Sequence, residues 1–289
     1  MPRRARCVSR RGAATLLNLV NDHAVGIAGM VLSGTPRDSL QVIDLIYRQD
    51  GGTRPQVIIS DTGSYSDVIF GLLRLLGFDY RPQLADLPDA KLWRIDAAAD
   101  CGPVNTAARG RIDTDRIRSN WPEILRIVGS IHTGTVSAHG GKPTRVGDAL
   151  AHYGRTFKTM HVLSYVDDEP YRRQIKAMRN LQEGRHDLAR HLFHGRKGQL
   201  RETYRQGMEE QMGALGLVLN CITLWNTVYL DAVIKRLRAD GHPVNDEDVA
   251  RLSPYIRSHI NVHGHYAFQP RNLANRLRSL RDPHTNPDD

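Results

Sequence analysis

The chain has 289 residues, 40% of them hydrophobic, enough for one large domain or two smaller ones with true cores, which excludes a disordered polymer. Its 40 Lys and Arg against 31 Asp and Glu leave a formal net charge of +9, which favours a nucleic-acid partner over an acidic protein or a membrane. Only 6 of the basic residues are Lys and 34 are Arg, whose planar forks suit phosphate, although an arginine-favouring codon bias gives the same skew. Cys7, Cys101 and Cys221 have neither metal-ligand nor redox spacing, so a reduced, cytoplasmic setting is the simplest reading. The basic start MPRRARCVSRRG is followed by no long apolar stretch and does not read as a signal peptide.

In chain order, residues 16–20 and 27–32 are two strand candidates joined by the turn residues Asn21 to Gly26, which predicts a hairpin. Gly34-Thr35-Pro36 opens a helix with Leu40, Ile43, Leu45 and Ile46 on its apolar side, and Gly51-Gly52 ends it. Val57 to Ile59 is a further strand. Val68, Ile69, Leu72, Leu73 and Leu76 then recur at helical spacing. Hairpin, helix, strand, helix predicts an α/β sheet, with Asp61 at its C-terminal edge. Leu92 to Ile95 is a short strand candidate. After it the pattern turns helical, over 115–128, 146–165, 169–194 and 209–239, with a Gly/Ser-rich loop at 133–144. The apolar stretch 214–230 carries Asn220, Thr223, Asn226 and Thr227, and reads as a buried core helix rather than a membrane span. Asn245 with Asp248 resembles a capping box, Ser253-Pro254 reads as a helix start, and the tail from 281 as unstructured.

Two places carry candidate chemistry. Asp61 ends a strand in a turn, where it serves either as a helix cap or as a ligand at a sheet edge. Within 169–194, Glu183, His186 and Arg190 stand at i, i+3 and i+7 and share one helix face, which is also what a solvated charged face looks like. Gly184 beside Glu183 costs a helix about 1 kcal/mol relative to Ala, which points to close backbone approach. Asp67 reads as a structural or capping group of the helix that follows Asp61.

The segments SDTGSYSDVIFGLLRLLGFDYRPQLADLPDAKLWRID at 60–96, YGRTFKTMHVLSYVDDEPYRRQI at 153–175 and NLQEGRHDLARHLFHGRKGQLRETYRQGMEEQMGALGLVLNCITLWNTVYLDAV at 180–233 together resemble the Tn-three family of replicative transposases. So does DEDVARLSPYIRSHINVHGHYAF at 246–268, and the likeness extends over almost the whole chain. The resemblance implies a ribonuclease-H-like catalytic core with an Asp, Asp, Glu triad that holds two Mg²⁺ ions for cleavage and transfer of DNA strands. On that pattern Asp61 matches the second Asp and Glu183 the Glu, while His186 and Arg190 are candidates for contact with DNA phosphate. The implied partners are transposon terminal inverted repeats and target DNA, with a homo-oligomer in the DNA complex. The implied domains are a first part of the core at 1–96, a helical insertion at 97–165, and at 166–289 a helix that completes the core plus C-terminal helices.

The sequence departs from the pattern at its start. The residues before the hairpin contain no Asp or Glu, so the first catalytic Asp and its strand have no match. The expectation is an N-terminally truncated catalytic portion that folds only in part and is not active by itself. The alternative is a non-catalytic DNA-binding fragment, or one that inhibits transposase assembly.

Overall fold

The structure is a computed structural model of the full chain and describes residues 7–9, 12–33, 40–47, 54–62, 65–85, 87–135, 144–193 and 205–264. The expected helix start at 34–36, its stop at 51–52, most of the loop at 133–144 and the tail from 281 lie outside these residues. The chain divides into two compact units. One is Met1–Glu183 with Glu202–Glu209, the other Gly184–Arg201 with Glu210–Asp289.

The first unit opens with three antiparallel strands, β1 (Cys7–Ser9), β2 (Gly12–Val20) and β3 (Gly26–Ser33), in the order β1-β2-β3. The hairpin stands where the two strand candidates and the turn residues between them put it, with Leu17 opposite Met30 and Asn18 opposite Gly29. Its turn is set by Asn21, whose Oδ1 accepts from the backbone N–H of His23 at 3.1 Å and of Val25 at 2.9 Å. Ala24 is left-handed there, at φ 64°. β1 is a short strand before the hairpin and carries no carboxylate.

Helix α1 (Gln41–Tyr47) buries Ile43, Leu45 and Ile46. Then β4 (Val57–Ile58), α2 (Asp67–Leu75) and β5 (Asp79–Tyr80) form a β-α-β unit whose strands pair in parallel. Gly77, at φ 90°, stops α2: its N–H bonds to the Arg74 carbonyl and that of Phe78 to the Leu73 carbonyl, the doubled bond pattern of a glycine-ended helix. One expectation changes here. Among the described residues the hairpin and β4–β5 belong to separate small sheets, because β4 is two residues long and bonds only to β5.

A second parallel pair, β6 (Trp93–Arg94) with β7 (Gly110–Arg111), precedes α3 (Thr114–His132) and α4 (Arg145–Asp167). Asp113 caps α3 through the Arg116 N–H, and Thr144 caps α4 through the Gly147 N–H. The core joins Ile58, Phe70, Leu73 and Tyr80 to Ile124 and Val128 of α3 and to Ala149 and Leu150 of α4. α2 and α4 cross at two glycines. A Cβ on Gly154 would stand 1.8 Å from the Asp67 carbonyl oxygen, and one on Gly71 would stand 2.8 Å from that of Leu150.

Helix α5 (Glu169–Leu192) runs into the second unit, which also holds α6 (Arg205–Ala239) from Glu210 onward and the short α7 (Asp246–Val249). The close approach expected at Gly184 is to the Tyr255 ring, 2.9 Å from where a Cβ would stand. Three local expectations fail. Asn245 stands at the N-cap of α7 without a side-chain cap bond, and α7 is a single turn. No helix starts at Ser253-Pro254, because Asn226 donates to the Pro254 carbonyl at 2.7 Å and the Ile256 carbonyl at 2.8 Å, groups that a helix would use. α6 is also not a fully buried core helix. Its hidden side is Leu219, Thr223 and Asn226, while Leu217 and Leu224 are 67% and 66% exposed. Apolar residues surround α6, so one neighbour covers one side only. By length and composition alone it would suffice to cross a bilayer, yet its buried amide is bonded within the unit. The fold is thus mixed α/β, mostly helical, with small sheets.

Candidate functional site

The parallel pairing of β4 and β5 continues past the strands themselves. The Arg81 N–H bonds to the Ile58 carbonyl at 2.8 Å and the Gln83 N–H to the Ser60 carbonyl at 2.9 Å. Asp61 follows directly and is exposed at the C-terminal end of the pair, where open α/β sheets gather ligands. Ser60 fixes that end: its hydroxyl lies 2.7 Å from the Tyr80 hydroxyl and 3.2 Å from the Asp61 carbonyl oxygen. The N-cap of α2 is Ser66, so Asp61 does not cap that helix.

Glu183 lies on α5, exposed, and makes no ion pair with a described residue. It closes the first unit, to which Asp61 also belongs. In the second unit His186 is half-buried and Arg190 is exposed, 3.7 Å from Asp187, which also pairs with Arg257. Among the described residues no group of three or more His, Cys, Asp or Glu is drawn close enough to hold a metal ion. The donors offered by Asp61 and Glu183 are hard carboxylate oxygens, the kind Mg²⁺ takes, but they number two.

Beside Asp61 the structure forms a cavity of about 260 Å³. Its wall is built from three parts of the chain: Thr62 and Tyr65 after β4, residues 83–85 and 89–91 with Trp93, and Lys158 of α4. Lys158 is 9% exposed. Its Nζ donates to Asp67 Oδ1 at 2.8 Å, and Arg155 Nε donates to the other oxygen at 2.9 Å. The same ammonium lies 3.9 Å from the Tyr65 ring centre and 5.3 Å from that of Trp93, a doubly aromatic seat for a cation. Asp67 is therefore the structural group foreseen for it, and its partners come from α4. Burial, then the Asp67 charge, push the Tyr65 phenol well above its ordinary value, so it stays protonated.

Two polar atoms on this wall are buried without a hydrogen-bond partner, the Tyr65 hydroxyl and Gln83 Oε1. Gln83 is oriented by its amide nitrogen, which donates to the Tyr165 hydroxyl at 2.9 Å and the Leu84 carbonyl at 3.3 Å, so the oxygen is what remains. None of this wall was singled out from the sequence. One signal was there: in a chain with 34 Arg and 6 Lys, two of the lysines, Lys91 and Lys158, line one cavity.

The comparisons agree with one another. The sequence model of the family described as "Tn3 transposase DDE domain" matches residues 3–266. The chain is 59% identical over 281 residues to the transposase for transposon Tn4556 of Streptomyces fradiae, covering 94% of this chain and 32% of that protein. It is 42% identical over 262 residues to the transposase for transposon gamma-delta of Escherichia coli, at 88% and 26% coverage. Against the transposase for transposon Tn1546 of Enterococcus faecium it is 33% identical over 276 residues, at 93% and 28%. The chain thus spans about a third or less of the length of these curated relatives. By the match across residues 3–266, the chain belongs to the Tn3 transposase DDE domain family.

Proposed function

We propose that the chain is part of the catalytic region of a transposase and acts in DNA transposition, by Mg²⁺-dependent cleavage and transfer of strands at transposon ends. The family match, with Asp61 at the end of a parallel β-α-β unit, carries this reading. The order of antiparallel strands, helix, strand, helix, strand supports a ribonuclease-H-like core. Residues 1–96 are its first part, 97–165 a helical insertion, and 166–289 the completing helix with C-terminal helices. Asp61 and Glu183 would hold Mg²⁺, two ions when the triad is complete. Held there, the ions would supply activation of the attacking oxygen and charge neutralisation at the leaving one. The residues of this chain set that up: the Ser60–Tyr80 bond fixes the strand end that presents Asp61, and α5 presents Glu183. His186 and Arg190 contact DNA phosphate. The partners are transposon terminal inverted repeats and target DNA, met in the cytoplasm by a homo-oligomer.

The first carboxylate of the triad has no match among these 289 residues, so by themselves they are expected to cleave strands weakly until a segment that carries it is supplied. The test uses the purified chain with DNA carrying the inverted repeats of its own element, with and without Mg²⁺. The expected result is little cleavage, restored by the complementing segment and lost again in Asp61→Ala or Glu183→Ala. Strong cleavage by the chain alone would overturn the incompleteness, and restored cleavage that survives both substitutions would overturn the site. A second reading, a DNA-binding or assembly-inhibiting role without catalysis, is favoured by the net charge of +9. It predicts binding in EDTA and no cleavage under any complementation.

A further inference from the structure

We infer that the cavity beside Asp61 is a seat for one unpaired DNA base, taken out of the stack next to the strand that the site acts on. The inference rests on the proposal that the chain acts on DNA. Three observations carry it. At about 260 Å³ the cavity falls just under the roughly 300–1,000 Å³ usual for drug-sized ligands, which suits a single planar ring system. Tyr65 and Trp93 line it, with the Lys158 ammonium 3.9 Å and 5.3 Å from their ring centres, and base–aromatic contact is the common way to hold a base outside a helix. The Tyr65 hydroxyl and Gln83 Oε1 are buried and unpartnered, one able to donate or accept and the other only to accept. An exocyclic amine and a ring nitrogen of a base satisfy that pair. Leaving such atoms unpaired in the folded chain is costly, so the arrangement favours a ligand that pairs them.

The location gives the base a role. Thr62 lines the cavity and is the neighbour of Asp61, so a base seated there draws its own phosphate toward the strand end that presents the carboxylate. Lys91, exposed on the rim, supplies a cation for that phosphate. Trp93 is fixed for the purpose. Its ring covers Gly110, where an added Cβ would stand 2.1 Å from the ring, and its backbone N–H bonds to the Thr159 hydroxyl at 3.1 Å.

The same chemistry is offered by a free nucleotide, and the experiment separates the two. The 289-residue chain is titrated into three probes: a fully paired duplex, the same duplex with one bulged 2-aminopurine, and free 2-aminopurine deoxyribonucleoside monophosphate. The expected result is roughly tenfold tighter binding of the bulged duplex than the paired one, with quenched 2-aminopurine emission. Tyr65→Phe removes only the unpartnered hydroxyl, and Trp93→Leu removes the ring. Both lower the bulged-to-paired ratio toward one, with circular dichroism reporting the folded state of each. A ratio of one in the parent chain, or an unchanged ratio in both folded variants, would overturn the base seat while duplex binding still stands. Quenching of the free nucleotide without any gain for the bulge would assign the cavity to free nucleotides and overturn the DNA base. Failure to bind any of the DNA probes would remove the base seat and the transposase reading together.

Discussion

His161 shows how a single buried ring ties the candidate site to stability. It is 4% exposed on α4, with Nε2 donating to the Pro82 carbonyl at 3.0 Å and Nδ1 accepting from the Tyr171 hydroxyl at 2.7 Å. Pro82 immediately precedes Gln83 of the cavity wall, so this ring holds the backbone of that wall in place. Burial is the main cause that pushes its pKa from 6.5 down to about 4, opposed by the bond to Pro82. In the unfolded chain the ring takes a proton below pH 6.5, while in the folded chain it stays neutral until about pH 4. The stabilisation is therefore complete above pH 6.5 and is lost as the pH falls toward 4. Between pH 7 and pH 5 the loss is about 2 kcal/mol, seen as a lower urea midpoint. His161→Gln keeps a donor and an acceptor without the titration and should flatten that part of the profile. A midpoint that falls equally in both proteins would place the acid sensitivity elsewhere. Arg185 poses the opposite problem: it is 1% exposed, its Nε and Nη1 have no partner, and its bonds to Gly216 and Tyr255 do not neutralise the charge.

At the scale of elements, the position of the site depends on the crossing of α2 and α4. Asp67 begins α2, and the Arg155 and Lys158 that grip it belong to α4. That grip requires the two backbones to approach closely, which Gly71 and Gly154 allow. At Gly154 the obstacle to a side chain is the Asp67 carbonyl itself, which cannot swing away as a flexible side chain would. Gly154→Ala should therefore destabilise the chain by about 3 kcal/mol, the upper part of the range for overpacking. Gly129→Ala is the control, since nothing lies within 4 Å of its added Cβ and it sits in a helix. Thermal melts of the two variants side by side make the comparison. Equal melting temperatures would mean that the helices part without loss, and that the glycines do not set the crossing.

At the scale of the whole molecule, what could be read from the sequence follows from how local each cause is. The hairpin, α2 and the long helices are written in short-range periodicity and turn residues, and they stand where the pattern puts them, with ends moved by a few residues. Asp61 at a strand end was legible for the same reason. The cavity was not, because Tyr65, Gln83, Trp93 and Lys158 meet only after α2, β5 and α4 have packed. The turns after Ser253 were misread because Asn226, far away in sequence, takes their carbonyls. Charge is the property that needs no folding to be read, and it leads to the last prediction. On the proposed function, a net charge of +9 built largely from Arg would place the first DNA contact in the backbone phosphates, with counterions released on binding. Such binding weakens linearly in log K against log salt, with a slope that counts the neutralised phosphates. A footprint of about six gives a slope near −5 and roughly a thousandfold loss of affinity between 50 and 200 mM salt. Duplex binding measured across that range, in EDTA so that no metal contributes, reads the slope directly. A slope near zero would mean that the positive charge serves the fold or its own ion pairs rather than DNA, and the phosphate-led encounter would have to be given up.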